Sequence, residues 1–159
     1  SGLETVRDGT APLQVGVSFR RDAPDAWNAL LDQADVTATA PVLTMQFDRD
    51  RMSYAIAALS PSVTTARVVL WVADGVAGAD SDMSVGLNPT GTPDQGPSPA
   101  GATIAGRPAA TLTWSTPPSP GPGQQLAVQL DALAGVLDGT KVDPTKLLDV
   151  IVLLDLDFG

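Results

Sequence analysis

The stretch that decides the fold is residues 149–158, Asp-Val-Ile-Val-Leu-Leu-Asp-Leu-Asp-Phe. Apolar side chains recur at every second position, at Val150, Val152, Leu154, Leu156 and Phe158. Because successive side chains of a strand point to opposite faces, these five share one face, and that face must be buried. The opposite face carries three aspartates beside Ile151 and Leu153, a half-wet pattern typical of antiparallel sheets covered on one side. The run predicts a strand of a β-sandwich.

Four other runs extend the prediction of a mainly β fold. Residues 13–19 and 41–47 alternate between apolar and polar positions, and residues 109–115 have strand character. Ser62–Val72 is the richest in β-branched residues, and its nearly continuous apolar end suggests a central strand buried on both faces. All four runs are therefore predicted as strands.

Helices play a smaller part. Residues 22–34 begin with an aspartate that can cap a helix and with Pro24 in the first turn, and they place Trp27, Leu30 and Leu31 on one helical face. Residues 124–131 fit either a strand or a helix, and we favour a strand leading into a short helical turn at 132–137. The sequence thus predicts an antiparallel, jelly-roll-like β-sandwich with one or two short helices.

The chain is predicted to be a single domain over residues 1–159. Its length and its 43% hydrophobic residues suffice for one sizeable core but not for two. Residues 86–101 are rich in Gly and Pro and supply no buried face, so we expect a long exposed loop there. We interpret the chain as a piece of a longer polypeptide.

Composition excludes several functions. The net charge is −9 and only nine residues are basic, so nucleic-acid binding is not expected. The longest apolar runs are far shorter than a membrane span, so we expect no membrane insertion by this segment. The chain has neither His nor Cys, so a Ser-His-Asp or Cys-His site cannot be built and the commonest zinc ligands are missing. We predict no enzymatic activity and rank an Asp-dependent hydrolase last.

Candidate ligand-binding residues are few. Trp114 and Tyr54 carry rings that can stack on sugars, and Asn88 lies at the start of the predicted loop. Trp27 and Trp71 lie in apolar patterns and are predicted to be core residues.

A metal site has one preferred candidate. Asp80 and Asp82 offer carboxylate oxygens to a structural calcium ion, although solvated strand ends explain this pair equally well. No other cofactor is predicted.

Four segments together resemble a β-sandwich module found in large bacterial insecticidal toxin-complex proteins. They are residues 21–27 (Arg-Asp-Ala-Pro-Asp-Ala-Trp), 43–54 (Leu-Thr-Met-Gln-Phe-Asp-Arg-Asp-Arg-Met-Ser-Tyr), 63–70 (Val-Thr-Thr-Ala-Arg-Val-Val-Leu) and 146–155 (Lys-Leu-Leu-Asp-Val-Ile-Val-Leu-Leu-Asp). The resemblance implies an accessory module of a toxin-like or injection-system protein, without catalysis. It transfers no functional residue.

The expected function is therefore a non-catalytic binding module of a larger secreted or cell-surface protein, cytoplasmic before export. Its loops are expected to recognise a glycan or a partner protein surface. The alternative is a purely structural spacer or assembly domain that packs against neighbouring domains through a sheet face or edge.

Overall fold

A computed structural model describes residues 13–47, 62–76, 80–99, 102–104, 106–118 and 123–157. Within these ranges the chain forms eleven strands and two short helices. The strands are β1 (Leu13–Ser18), β2 (Val42–Gln46), β3 (Ser62–Val72), β4 (Asp80–Asn88), β5 (Gln95–Pro99), β6 (Ala102–Ile104), β7 (Arg107–Thr113), β8 (Gln125–Ala134), β9 (Leu137–Asp138), β10 (Lys141–Val142) and β11 (Leu147–Asp157). The helices are α1 (Phe19–Asp22) and α2 (Pro24–Asp32).

The strands form two main antiparallel sheets. Sheet A has the order β1-β11-β3-β7-β6, sheet B has the order β2-β8-β4-β5, and β9 and β10 form a small separate pair. The mainly β, sandwich-like fold predicted from the sequence is confirmed.

The core lies between the inner faces of the two sheets, and β11 is central to it. Val150, Val152, Leu154 and Leu156 are all fully buried, as the alternation predicted, while Phe158 lies outside the described residues. They share one hydrophobic cluster with inner residues of sheet B such as Leu126, Val128 and Leu130. Burying each of these side chains contributes about 1.5–3 kcal/mol.

The helix predicted at 22–34 is confirmed as α2 (Pro24–Asp32), and the single-turn helix α1 (Phe19–Asp22) precedes it. Strand β1 ends at Ser18, whose Oγ accepts a hydrogen bond from the backbone N–H of Arg21 at 3.2 Å and caps α1. Pro24 then stands in the first turn of α2, where its missing N–H costs nothing. Trp27 is buried in the core, as predicted.

The helical turn predicted at 132–137 is wrong. Strand β8 continues to Ala134 and keeps pairing with β4 through a register shift opposite Asp80 and Asp82. Ala132 has a φ of 52°, which accommodates the extra residues of the bulge. An available partner strand outweighed the local helical spacing.

The exposed loop expected at 86–101 is also corrected. Residues 86–88 complete β4, and β5 pairs with β4 from Gln95 onward. Proline is tolerated there because β5 is the edge strand of sheet B and its outward positions need no N–H.

Candidate functional site

Trp114 does not present a ring to a ligand. Its side chain is only 5% exposed, and its Nε1 donates a hydrogen bond to Asp94 Oδ1 at 3.0 Å. A ring in this position cannot serve as a stacking platform for a sugar. Trp114 instead fastens the β4–β5 connection to the core, and its burial argues against the ligand-binding role expected of it.

Asn88 is likewise committed to local structure. Its Nδ2 donates to the carbonyl oxygen of Thr92 at 2.7 Å, and its Oδ1 accepts from the backbone N–H of Thr92 at 3.1 Å. Nδ2 also lies 3.5 Å from Asp94 Oδ2, so Asn88 and Trp114 contact the two oxygens of the same carboxylate. Ligand binding by Asn88 stays a prediction, and Asp94, which sequence reasoning missed, links Asn88 to Trp114.

The turn held by Asn88 lies directly over Gly86. A Cβ at this position would overlap the backbone of Thr92 and Pro93. Gly86 is therefore required by close approach of the turn to the outer face of sheet B. The Gly- and Pro-rich composition of this segment predicts a loop, whereas the structure has a turn that packs closely on β4.

The calcium site predicted at Asp80 and Asp82 stays a prediction. Asp82 lies opposite Asp131 of β8, and the backbone of Asp80 pairs with Ala134. Within the described ranges, no group of three Asp, Glu, His or Cys side chains is placed to hold a metal ion. Two facing carboxylates fall short of the six to eight oxygen ligands of calcium. Tyr54 lies outside the described residues.

Trp71 is not the core residue that the sequence predicts. It lies half-buried on the outer face of sheet A, and the Arg107 guanidinium stands 4.3 Å from the centroid of its ring. Arg107 also pairs with Asp74 at 3.2 Å. One face of this ring is therefore covered by a cation.

A different region, the edge of sheet A at β1, has the features of a binding site. Two cavities flank this strand and share Gly16, Val17 and Arg21. The outer cavity, of about 570 Å³, is lined by Gly16, Val17, Ser18, Arg20, Arg21, Asp149 and Ile151. The rim cavity, of about 360 Å³, opens between β1 and β2 and is lined by Val15, Gly16, Val17, Arg21, Asp22, Met45 and Phe47.

The direction of one N–H fixes which backbone groups of β1 face away from β11. The N–H of Ser18 donates to Asp22 Oδ2 at 2.9 Å, so it points away from the neighbouring strand. Because the N–H and C=O of one residue lie on the same side of a strand and the side alternates along it, Gly16 and Gln14 also turn their polar groups outward. No described strand pairs with β1 on that side.

The corner where β1 meets α1 is organised around Asp149. Its Oδ1 accepts from the backbone N–H groups of Arg20 at 3.1 Å and Val150 at 2.8 Å, and its Oδ2 accepts from Ser18 Oγ. This carboxylate therefore already accepts three hydrogen bonds from the corner.

The arginines of the corner differ. Arg21 pairs with Asp22 at 3.3 Å, whereas Arg20 donates from Nη1 to the carbonyl oxygen of Leu148 at 3.1 Å. Among the described residues, no carboxylate forms an ion pair with Arg20. The Leu148 carbonyl orients this guanidinium, and its other N–H groups can donate to another partner.

Two aspartates elsewhere have lowered pKa values but belong to turns. The Thr37 side chain and the backbone N–H of Ala38 donate to Asp35 and lower the pKa of its carboxyl group. The Thr145 side chain and backbone N–H act in the same way on the pKa of Asp143. Both carboxylates are exposed and close local Asx turns, so they stabilise connections and build no site.

No protein-family model, curated protein or solved structure matches this chain. The described part of the chain contains no helix with the length and apolarity needed to cross a membrane. Function is therefore inferred from the chain's own residues.

Proposed function

We propose that this chain is a non-catalytic binding module of a larger secreted, toxin-like or injection-system polypeptide, and that it binds a protein partner at the β1 edge. The observation that carries this proposal is the pair of cavities on either side of Gly16. Ligand sites are concave and combine apolar surface with a few placed polar groups, as this edge does.

The state of the aromatic rings favours a protein partner over a glycan. Trp27 and Trp114 are buried, as are Phe19 and Phe47, and the ring of Trp71 is covered by Arg107. Among the described residues, the rings other than Trp71 are therefore buried away from any sugar, and Trp71 has one face already occupied by Arg107.

The remaining parts of the proposal rest on the sequence. A non-catalytic role is supported by the lack of His and Cys in the whole chain. The secreted, toxin-like setting is supported by the resemblance of the four segments named above to insecticidal toxin-complex modules.

A structural spacer remains the second candidate, and one observation favours it. Ile151 and Leu153 lie half-buried on the outer face of sheet A, next to Val69, which is 1% exposed on the same face. A neighbouring domain that packs on this face would bury them further.

Titration calorimetry with the remaining part of the parent polypeptide, prepared separately, tests the proposal. We expect Arg20→Glu at the β1 edge to weaken association about tenfold or more, since it reverses a charge beside the contact. The matched control is Lys141→Glu in β10, which reverses a charge away from this edge and should leave association unchanged.

Two results of this experiment would contradict the proposal. Loss of association with Thr111→Glu, on the exposed outer face of sheet A and away from both cavities, but not with Arg20→Glu, assigns the spacer role to that face. No association in the wild type rules out a partner within the parent polypeptide.

A further inference from the structure

From the β1 edge we infer a binding mode and a partner chemistry: a partner segment adds as an extra strand beside β1, with an apolar side chain over Gly16 and an acidic one two positions along. The inference rests on the proposed function and deepens it. In strand addition, main-chain hydrogen bonds give affinity and pockets for alternate side chains give specificity.

The first support is the backbone of β1. The polar groups of Gly16 and Gln14 point away from β11, as the bond from the Ser18 N–H to Asp22 shows. Val17, Met45 and Phe47 are buried, so the accessible part of the rim cavity is mainly the polar edge of β1 with Arg21 and Asp22. An incoming main chain therefore meets donors and acceptors there.

The second support is that β1, within the described residues, lacks several of the devices that protect an edge strand. Natural edges are blocked by proline, by lysine, by bulges or by an inward-pointing charge. The sequence of β1, Leu-Gln-Val-Gly-Val-Ser, contains none of these residues, and its pairing with β11 is regular over six residues. Such an edge is a template for another strand.

The third support is the outer cavity, which receives the side chains of that strand on the outer face. Gly16 has no side chain to fill this cavity, and the half-buried Ile151 supplies apolar contact. A Cβ at Gly16 would lie 3.5 Å from Leu153 Cδ2, so Leu153 already borders the gap. The space fits an aliphatic side chain from the partner.

The charge of the outer cavity selects the second side chain. Arg21 is paired with Asp22, whereas Arg20 lies in the outer cavity beside Asp149, whose oxygens already accept three hydrogen bonds. A carboxylate on the added strand gains charge-assisted bonds from Arg20. Side chains two residues apart share one face of a strand, so the acidic residue follows or precedes the apolar one by two positions.

A second copy of this chain is a poorer occupant. In a parallel pairing of β1 with β1 of another copy, Arg20 and Arg21 of the two copies would be neighbours, and like charges repel. The acidic partner segment is favoured by the same charges.

The probe is a peptide that satisfies the pattern in either direction, acetyl-Thr-Leu-Thr-Asp-Thr-Leu-Thr-amide. Calorimetry measures its affinity for the folded chain, and amide chemical shifts locate it. We expect saturable binding with the largest shifts at Gln14, Gly16 and Val17. Replacing the peptide's Asp by Lys should weaken binding about tenfold or more, the size of a lost charge-assisted bond.

Three variants of the chain separate the contributions of charge and of main-chain hydrogen bonds to peptide binding. Arg20→Gln should weaken the Asp peptide about tenfold and leave its Asn analogue nearly unaffected, while Lys141→Gln should change neither. Gly16→Pro removes the outward N–H and should abolish binding. N-methylating alternate residues of the peptide removes the N–H groups that it would donate to β1. This peptide should not bind the wild type, and the test does not depend on the folding of a variant.

Equal binding of the Asp and Lys peptides, shifts centred away from β1, or no binding of any peptide would overturn the inference. Concentration-dependent dimerisation of the chain alone, lost in Gly16→Pro, would overturn it in favour of a second copy. If the parent polypeptide still binds in an Arg20-dependent way while the peptides do not, strand addition fails and the proposed function stands.

Discussion

The two sheets end in edges of opposite construction, β1 on sheet A and β5 on sheet B. Strand β5 contains Pro97 and Pro99, which have no N–H to offer, and it lies close to β7 of the other sheet. A Cβ at Gly96 would come 3.0 Å from Leu112 Cδ2, which shows how closely β5 closes that side. Strand β1 has no proline, and cavities lie on both sides of Gly16.

The difference teaches that protection of edges in this molecule is selective. The closed edge has proline, a turn packed over Gly86, and the Asp94 clamp, by which we mean the hydrogen bonds that Asp94 accepts from Trp114 and Asn88. These features oppose the approach of another strand. The open edge instead combines outward backbone groups, a missing side chain and an arginine without a carboxylate partner among the described residues. A partner that adds a strand needs an unprotected edge, and β1 offers one while β5 does not.

The largest expected effect concerns the strand that holds the open edge in place. Leu154 of β11 is fully buried and pairs with Val15 of β1. We expect Leu154→Ala to lower the free energy of unfolding by about 2–5 kcal/mol, because it removes buried contacts and leaves a cavity. Urea denaturation measures this loss.

The matched control is Leu153→Ala, one residue earlier on the half-buried outer face. Its cost should be clearly smaller. Equal costs for the two variants would show that β11 is not oriented as described.

Glycine replacement compares the two edges directly. Gly86→Ala forces the turn at Thr92 and Pro93 to move and should cost about 1–3 kcal/mol, the usual range for overpacking. Gly16→Ala in the open edge places its Cβ at an ordinary contact distance from Leu153 and should be neutral or slightly stabilising, by about 0.4–1 kcal/mol. Thermal unfolding of both variants checks the contrast, and a Gly16→Ala variant as unstable as Gly86→Ala would refute it.

The Asp94 clamp of the closed edge should have a measurable but smaller energy. Trp114→Phe keeps most of the buried ring and removes the N–H that donates to Asp94, so we expect a loss of about 1–2 kcal/mol. A double-mutant cycle with Asp94→Ala isolates the bond. Strict additivity of the two single changes would show that no bond exists.

The smallest expected effect lies away from both edges, in the turn at Asp35. Hydrogen bonds from Thr37 and Ala38 lower the pKa of this carboxyl group from its usual value of 3.8. A lowered pKa in the folded state contributes stability that is present above the usual pKa and is lost as the pH falls through the lowered value.

The measurement for this turn is the melting temperature of the wild type and of Asp35→Asn from pH 6 to pH 2. The wild type should melt higher at pH 6, and the difference should shrink below pH 4 and vanish at the acid end. A difference that grows on acidification would contradict the assignment.

The fold was predictable where burial is periodic. The alternation in β11 and the β-branched run of β3 report a two-layer core directly, because a period of two leaves only one face to bury. The bulge at Ala132 was not predictable, since it depends on pairing with β4, which is distant in sequence. The strand β5 was hidden because an edge strand needs no apolar alternation.

The site was less predictable than the fold. Trp114 and Asn88 stand next to Gly- and Pro-rich segments, which suggested loop exposure, yet both bond to Asp94. Trp71 appeared internal because its neighbours Val69, Leu70 and Val72 are all apolar, although the strand places it on the outer face. The signals for the β1 edge were present in the sequence as Gly16 within a strand free of proline and the following pair Arg20-Arg21.

Amide hydrogen exchange of β1, followed residue by residue by NMR on the chain alone, tests the open edge most directly. Val15 and Val17 should be protected by β11, whereas the N–H groups of Gln14 and Gly16 should exchange far faster, at rates near those of exposed amides. Gly16 protected as strongly as Val17 would show that its N–H is already bonded, and the account of an open edge at β1 would be wrong.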